Sequence, residues 1–266
     1  MDTSRVAEHI TDWLKDYAQQ AGQKGFVVGV SGGIDSAVTS ALCARSGLPT
    51  LCVEMPIYQH IDQVRRAQEH ITRLRDGHPN VRMHVVQLTG VFDSLIDALP
   101  KAEDASGMEL SLANTRARLR MTTLYYFAGL LRYLVVGTGN KVEDFGVGFF
   151  TKYGDGGVDL APIADLTKTE VYAVGKELGI QDSIMNAPPT DGLWGDDRTD
   201  ADQIGATYPE LEWAMEVRQA GVGRRMGHFT DRQREVLAIF DRMHAANRHK
   251  MEPIPVCIIP EDIRDR

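Results

Sequence analysis

The 266-residue chain has little cysteine, no excess of positive charge and no long apolar run. Cys43, Cys52 and Cys257 are odd in number, far apart and in no Cys-x-x-Cys pair. That excludes a disulfide framework and a cysteine zinc or redox motif, and the three thiols read as small buried hydrophobes in a reducing compartment. The eight histidines show no pairing at the i,i+4 type of spacing that zinc ligands use. A formal net charge of −8 argues against a nucleic-acid partner. No stretch approaches the ~18 consecutive apolar residues of a membrane span. Met1-Asp2-Thr3-Ser4-Arg5 lacks the basic-then-apolar layout of a signal peptide, so a cytoplasmic protein is expected. The commonest phosphate loop, Gly-x-x-x-x-Gly-Lys-Ser/Thr, is missing as well.

What is present is an alternation of short apolar runs and amphipathic helices. Thr3 or Ser4 can cap a helix to about Gln20, with Val6, Ile10, Trp13, Leu14 and Tyr17 on one face. Strands are expected at 26–30, 51–55, 81–88 and 133–138, and helices from the first loop to about 46 and over 62–76, 91–99, 109–131, 167–178, 210–220 and 231–249. Residues 101–107 read as a mobile polar loop, and 149–160 and 186–202 as long irregular segments. The alternation predicts an α/β fold, a doubly wound parallel sheet in a three-layer Rossmann-like sandwich. Length suits one domain over 1–266, with an N-terminal helix at 3–21, a core at about 25–250 and a tail at 251–266.

The first strand runs into Gly29-Val30-Ser31-Gly32-Gly33-Ile34-Asp35-Ser36. Adjacent glycines let backbone N–H groups face a ligand, and the following helix adds orphan donors and a positive dipole end. Asp35 is out of place beside an anion unless a divalent cation lies between them. Strand, glycine turn, hydroxyls and carboxylate describe a pocket for Mg²⁺-bound pyrophosphate. A second loop begins at Thr138, also at a strand C-terminus, so both can face one site. Lys168 falls in the first turn of a helix, where the dipole disfavours a cation, and Lys152 and Asp159 lie in a glycine-rich run with no evident fold reason. Those costs favour functional roles.

The Ser31–Ser36 loop resembles the signature of the PP-loop (N-type) ATP pyrophosphatases. Five further runs resemble those of the NAD synthetases, in order and at matched spacing: Asn114-Thr115-Arg116-Ala117-Arg118-Leu119-Arg120-Met121, Gly137-Thr138 to Glu143, Thr151-Lys152-Tyr153-Gly154-Asp155-Gly156-Gly157-Val158-Asp159, Leu166-Thr167-Lys168, and Ala187-Pro188-Pro189-Thr190 with the later His249-Lys250. The resemblance implies ammonia-dependent amidation of deamido-NAD: ATP adenylates the nicotinate carboxylate, pyrophosphate leaves, and ammonia displaces AMP. It also implies roles. Gly29, Val30, Ser31, Gly32, Gly33, Ile34, Asp35, Ser36, Thr138, Lys168 and Thr190 would bind ATP, with Asp35 and Lys168 catalytic. Asp35 and Glu143 would hold Mg²⁺. Arg118, Lys152, Asp159, His249 and Lys250 would bind deamido-NAD. Family members are homodimers, and glutamine-dependent ones carry a further glutaminase domain for which this chain has no room. One residue more than in many relatives between Glu143 and Lys152 leaves Asp144 open as the metal ligand. Ile34 replaces a common Gln, and its side chain is expected to point away from the phosphates.

Gly29-Val30-Ser31-Gly32-Gly33 also fits the elbow of a serine hydrolase with Ser31 as nucleophile. That elbow normally follows several strands, and Asp35-Ser36 has no part in it. Another adenylating amidotransferase is opposed by the Thr151–Asp159 run, and a non-catalytic nucleotide-binding module by the joint presence of Asp35, Glu143 and Lys168.

Overall fold

The computed structural model describes residues 1–100, 107–190, 192–193, 198–221 and 229–264. The loop expected at 101–107 therefore lies, but for Gly107, outside the described residues. Four parallel strands, β1 (Phe26–Gly29), β2 (Thr50–Glu54), β3 (Val81–Val85) and β4 (Leu134–Val136), form a sheet of order β3-β2-β1-β4. In register, Val27 pairs with Leu51 and with Val135. Alternate residues face opposite layers, as strand geometry requires. Phe26 and Val28 pack with α1 (Thr3–Gln20), α2 (Ile34–Arg45), α3 (Ile61–Gly77) and α6 (Lys168–Glu177). Val27, Leu51 and Val53 pack with α4 (Thr89–Ala98) and α5 (Met108–Leu131). The doubly wound sandwich expected from the alternation is the one found. A further apolar cluster joins a π-turn (Val142–Val147), α9 (Tyr208–Gln219) and α10 (Asp231–Met251).

This strand order reverses between β1 and β4, because the chain goes outward through β2 and β3 and then returns. Ligands bind in the crevice at such a switch point, beyond the strand C-termini. The loops after β1 and β4 are thus set side by side.

Several details differ from expectation. Asp2, not Thr3 or Ser4, caps α1 by accepting from the Arg5 N–H. β1, β3 and β4 are shorter than expected, and β2 begins and ends one residue earlier. The irregular stretch at 186–202 ends in a short helix, α8 (Asp200–Ile204), closed by a Thr199–Asp202 capping box, and α7 (Asp182–Met185) lies just before it. Cys43 and Cys52 are buried, but Cys257 is exposed, so it is not a buried hydrophobe. Its neighbours Ile254, Val256 and Ile258 are exposed too, because the tail leaves α10 without a layer to pack on. The π-turn was not foreseen. A π-turn is how a helix takes up an extra residue, often at a functional site, and it falls where the sequence shows one residue too many.

Candidate active site

The phosphate-type loop is braced by its own hydroxyls. Ser31 Oγ and Ser36 Oγ are 3.1 Å apart, Ser36 Oγ accepts from the Ser31 N–H at 3.2 Å, and Ser36 donates to the Gly33 carbonyl at 3.0 Å. Gly32 takes φ +84°, and a Cβ there would lie 2.4 Å from the Gln63 carbonyl oxygen of α3. Only glycine suits both the left-handed backbone and that approach. Ile34 is 3% exposed and packs toward α6, its Cδ1 close to Gly175, as expected. Residues 29–36 all line one cavity, together with Thr138, Glu143, Lys168 and Thr190. The structure therefore brings every expected ATP residue into one place.

At the base of that cavity lies a buried charge cluster. Lys168 Nζ, on a side chain 5% exposed, donates to Asp35 Oδ2 at 2.5 Å and to Glu143 Oε1 at 3.0 Å. Burial alone would lower the Lys168 ammonium, but the two carboxylates outweigh it and hold it above the usual lysine range. The same contacts offset the unfavourable dipole at the start of α6, whose Thr167–Glu170 capping box fixes the helix entry. Asp144 points elsewhere. Its carboxylate sits where a Cβ on Gly139 would be, and burial first, then the Glu143 charge, pushes it up to about 8.

Three residues of this cluster carried no role in the sequence reading. Asn140, fully buried, donates to Asp35 Oδ1 at 3.2 Å and accepts the Val142 and Glu143 N–H groups at 3.1 Å, tying the metal-type carboxylate to the π-turn. Tyr208 donates from its hydroxyl to Glu143 and to Asp200 Oδ2, and its ring lies 4.6 Å from Lys168 Nζ. Asn140 stood inside a recognised run. Tyr208 and Asp200 had no signal, because the contact of Tyr208 with Glu143 spans 65 positions of sequence and Asp200 joins the cluster through Tyr208.

The residues expected to bind deamido-NAD lie outside the cavity, and contacts join Arg118, Lys152 and His249 but not Asp159. Arg118 is exposed and reaches the Lys152 carbonyl at 3.3 Å, Lys152 Nζ donates to the His249 carbonyl at 2.5 Å, and Lys250 Nζ donates to the Gly148 and Phe150 carbonyls at 2.9 and 2.8 Å. His249 is exposed at the end of α10. Asp159 does have a fold reason, contrary to expectation: it accepts the Val135 N–H at 2.7 Å and the Tyr125 hydroxyl at 2.9 Å, satisfying a donor on the outer edge of β4. The glycine-rich segment is seated on α5 by Thr151, which donates to Asn114 Oδ1 at 2.6 Å. Two separate sequence runs are thus halves of one contact. Gly154, Asp155, Gly157 and Val158 reach the cavity rim. Of the other two arginines in that stretch of α5, Arg120 lines the cavity, while Arg116 lies over Phe92 at 4.9 Å.

A parallel sheet with a hydroxyl-braced glycine loop and a Lys–dicarboxylate cluster at its switch point defines a nucleotide-binding α/β protein. The comparisons narrow this. Residues 6–254 match the model of the NAD synthase family. The chain is 38% identical to an NH(3)-dependent NAD(+) synthetase of Alkaliphilus metalliredigens over 96% of this chain and 99% of that one. It is 35% identical to the one of Syntrophomonas wolfei, over the full length of both. Among solved structures, an NMN synthetase from Francisella tularensis superposes with a TM-score of 0.82 at 28% identity, covering 98% of this chain and 99% of that one. The chain belongs to the NAD synthase family.

Proposed function

We propose that the protein amidates deamido-NAD to NAD with free ammonia, by way of an acyl-adenylate, releasing AMP and pyrophosphate. The observation that carries this reading is the single cavity holding the Ser31–Ser36 loop, Glu143 and Lys168, rimmed by the glycine-rich segment from Gly154 to Val158. In the first half-reaction a carboxylate oxygen of the nicotinate bonds to the α-phosphorus as the bond to the pyrophosphate oxygen breaks. The loop's N–H groups and the end of α2 receive the phosphates. Lys168 is positioned to place positive charge where the pentavalent phosphorus develops negative charge. In the second, the ammonia lone pair attacks the acyl carbon and AMP leaves.

Asp35 and Glu143 suit a magnesium ion. Mg²⁺ in nucleotide sites takes one or two carboxylates and fills the rest of its shell with phosphate oxygens and water. When bound it would neutralise phosphate charge and polarise the α-phosphoryl group. Glu143 is favoured over Asp144, because Glu143 lines the cavity and the Asp144 carboxylate is packed against Gly139. Arg118, Lys152, Asp159, His249 and Lys250 would receive deamido-NAD, adjacent to the rim.

A homodimer is part of the same reading. Over 24 residues α5 buries only Ala113, Ala117 and Ala128, and it exposes Leu110, Tyr126 and Leu130. Val91 and Leu95 of neighbouring α4, and Leu99 just after it, are exposed as well. An apolar face of that extent is characteristic of an interface. Light scattering on wild type and Tyr126→Glu checks it, with dimer and monomer the expected masses. Among the described residues, no helix is long and apolar enough to cross a membrane.

The activity test incubates the protein with ATP, Mg²⁺, deamido-NAD and ammonium and follows NAD, AMP and pyrophosphate in equal amounts. Release of ADP and phosphate would refute adenylation. Faster turnover of nicotinate mononucleotide than of deamido-NAD would move the substrate to the smaller nucleotide.

A further inference from the structure

We propose that Arg66 binds the leaving pyrophosphate half of ATP. The proposal rests on reading Ser31–Ser36 as the phosphate loop. Helix α3 lies directly over that loop, with Arg66 Cβ 3.3 Å from where a Cβ on Gly32 would be. Arg66 Nε donates to the Gly32 carbonyl at 3.2 Å, which holds the guanidinium against the loop, and Arg66 lines the same cavity. A guanidinium has five N–H donors in a planar fork that matches phosphoryl oxygens. Gly32 uses one of them. Among the described residues Arg66 makes no ion pair, although it is half-buried in a chain of net charge −8.

The other cations lining the cavity are already engaged. Lys168 is held between Asp35 and Glu143, and Arg120 donates to the Met55 carbonyl at 3.0 Å and to Gln59 Oε1 at 2.7 Å, near the end of β2. The loop's backbone donors are neutral, and Asp35 repels a bare polyphosphate. Among the described residues that line the cavity, Arg66 is therefore the cation held against the loop with donors to spare. Its place on α3 also fixes which phosphates it meets. The acyl carboxylate reaches the α-phosphorus from the glycine-rich rim, so the departing phosphates lie on the loop, under α3. As the bond from the α-phosphorus to its bridging oxygen breaks, the electron pair goes to pyrophosphate, and Arg66 stabilises the charge that collects there.

The test measures ligand binding by titration calorimetry with Mg²⁺ and no acyl substrate, using three probes: the α,β-methylene analogue of ATP, AMP and inorganic pyrophosphate. Arg66→Ala is expected to weaken the analogue and pyrophosphate roughly 10- to 100-fold, the range of a charge-assisted hydrogen-bond pair, and to leave AMP within about twofold. Arg66→Lys should restore part of the loss by keeping the charge without the fork. In steady state the KM for ATP should rise and inhibition by pyrophosphate should weaken. An equal loss for AMP and the analogue would mean that Arg66 only props the loop, and unchanged affinities would mean a solvated cation. Either overturns the proposal. If wild type bound neither the analogue nor pyrophosphate, the phosphate-loop reading would fail and Arg66 with it. A different acyl substrate would leave these titrations unaltered and would touch only the proposed reaction.

Discussion

The imidazole of His70 gives a pH-dependent stability that can be worked out in advance. His70 is 2% exposed in α3, with Nε2 2.9 Å from Ser40 Oγ of α2 and Nδ1 3.4 Å from Gln181 Oε1. Burial, aided by the Arg73 charge and opposed by the bonds to Gln181 and the Ala37 backbone, lowers its pKa from 6.5 to about 4. The folded protein therefore keeps it neutral while the unfolded chain takes up a proton below about pH 6.5. Between those values the unfolded state binds more protons, so stability falls as pH falls. Linkage with these two pKa values gives a loss of about 2 kcal/mol between pH 7 and pH 5, and about 3 kcal/mol by pH 4. For a chain of this size the first step corresponds to roughly 4–8 °C in Tm. The assay is thermal unfolding by circular dichroism at half-unit pH steps, on wild type and His70→Gln. The variant starts from its own baseline, because it repacks the α2–α3 contact, so slopes and not absolute values are compared. Wild type should lose the extra 4–8 °C or so that the variant does not. Parallel slopes would show that His70 titrates normally and that its burial carries no protonation cost.

Further outcomes follow from the site. Asp35→Ala should remove nearly all turnover while the melting curve stays cooperative, and near-normal rates at saturating Mg²⁺ would rule out its metal role. Tyr208→Phe keeps the ring beside Lys168 but frees Glu143 of one hydrogen bond, so a shift of severalfold in the Mg²⁺ concentration for half-maximal rate is expected; an unchanged titration would make the hydroxyl irrelevant. Lys152→Ala should raise the KM for deamido-NAD about tenfold or more and spare ATP, in line with one lost charge-assisted bond, whereas Asp159→Ala should also lower Tm, because its carboxylate accepts the Val135 N–H at 2.7 Å. Activity with ammonium should climb with pH as NH₃ is released, and ammonia-free glutamine should give none with this chain alone; equal rates from both nitrogen sources would contradict free ammonia as the donor.

The features legible in the sequence were those in which one stretch of chain does one thing. The apolar run Phe26–Gly29 before a glycine turn announces a buried strand and an anion loop, because periodicity and glycine act within a few residues. Lys168 announced itself by standing where a helix dipole opposes it. What stayed hidden were contacts that only folding creates. Asp159 looked free of structural duty because its partners, Val135 and Tyr125, are 24 and 34 positions away. Tyr208 fell outside the helix expected at 210–220 and drew no reading until α9 packed against the π-turn. The π-turn itself gave no local pattern, only a spacing one residue too long. Cys257 was misjudged for the opposite reason: its apolar neighbours suggest burial, but the end of α10 offers nothing to bury them against.

The charge cluster explains how one small region can be both stable without ligand and suited to a polyphosphate. Asp35 and Glu143 face each other across a site where their side chains are 16% exposed, and two carboxylates so placed would repel strongly in low dielectric. Lys168 between them supplies the opposite charge, and Asn140 and Tyr208 supply hydrogen bonds, so the pair is fixed in direction. The α6 dipole and the α2 N-terminus add positive potential from two sides. A divalent cation arriving with ATP meets carboxylates already oriented, and the phosphates meet a loop already closed by Ser31 and Ser36. Little has to be ordered on binding within the cavity, which lowers the entropic cost of assembling the reacting groups. The residues proposed for deamido-NAD are built otherwise: Lys152, Lys250 and Arg118 hydrogen-bond to backbone carbonyls, contacts that a substrate carboxylate or phosphate would outcompete because it is charged. On the proposed function, nucleotide binding would rest on a rigid half of the site, and acyl-substrate binding on a half whose cations would exchange weak partners for stronger ones.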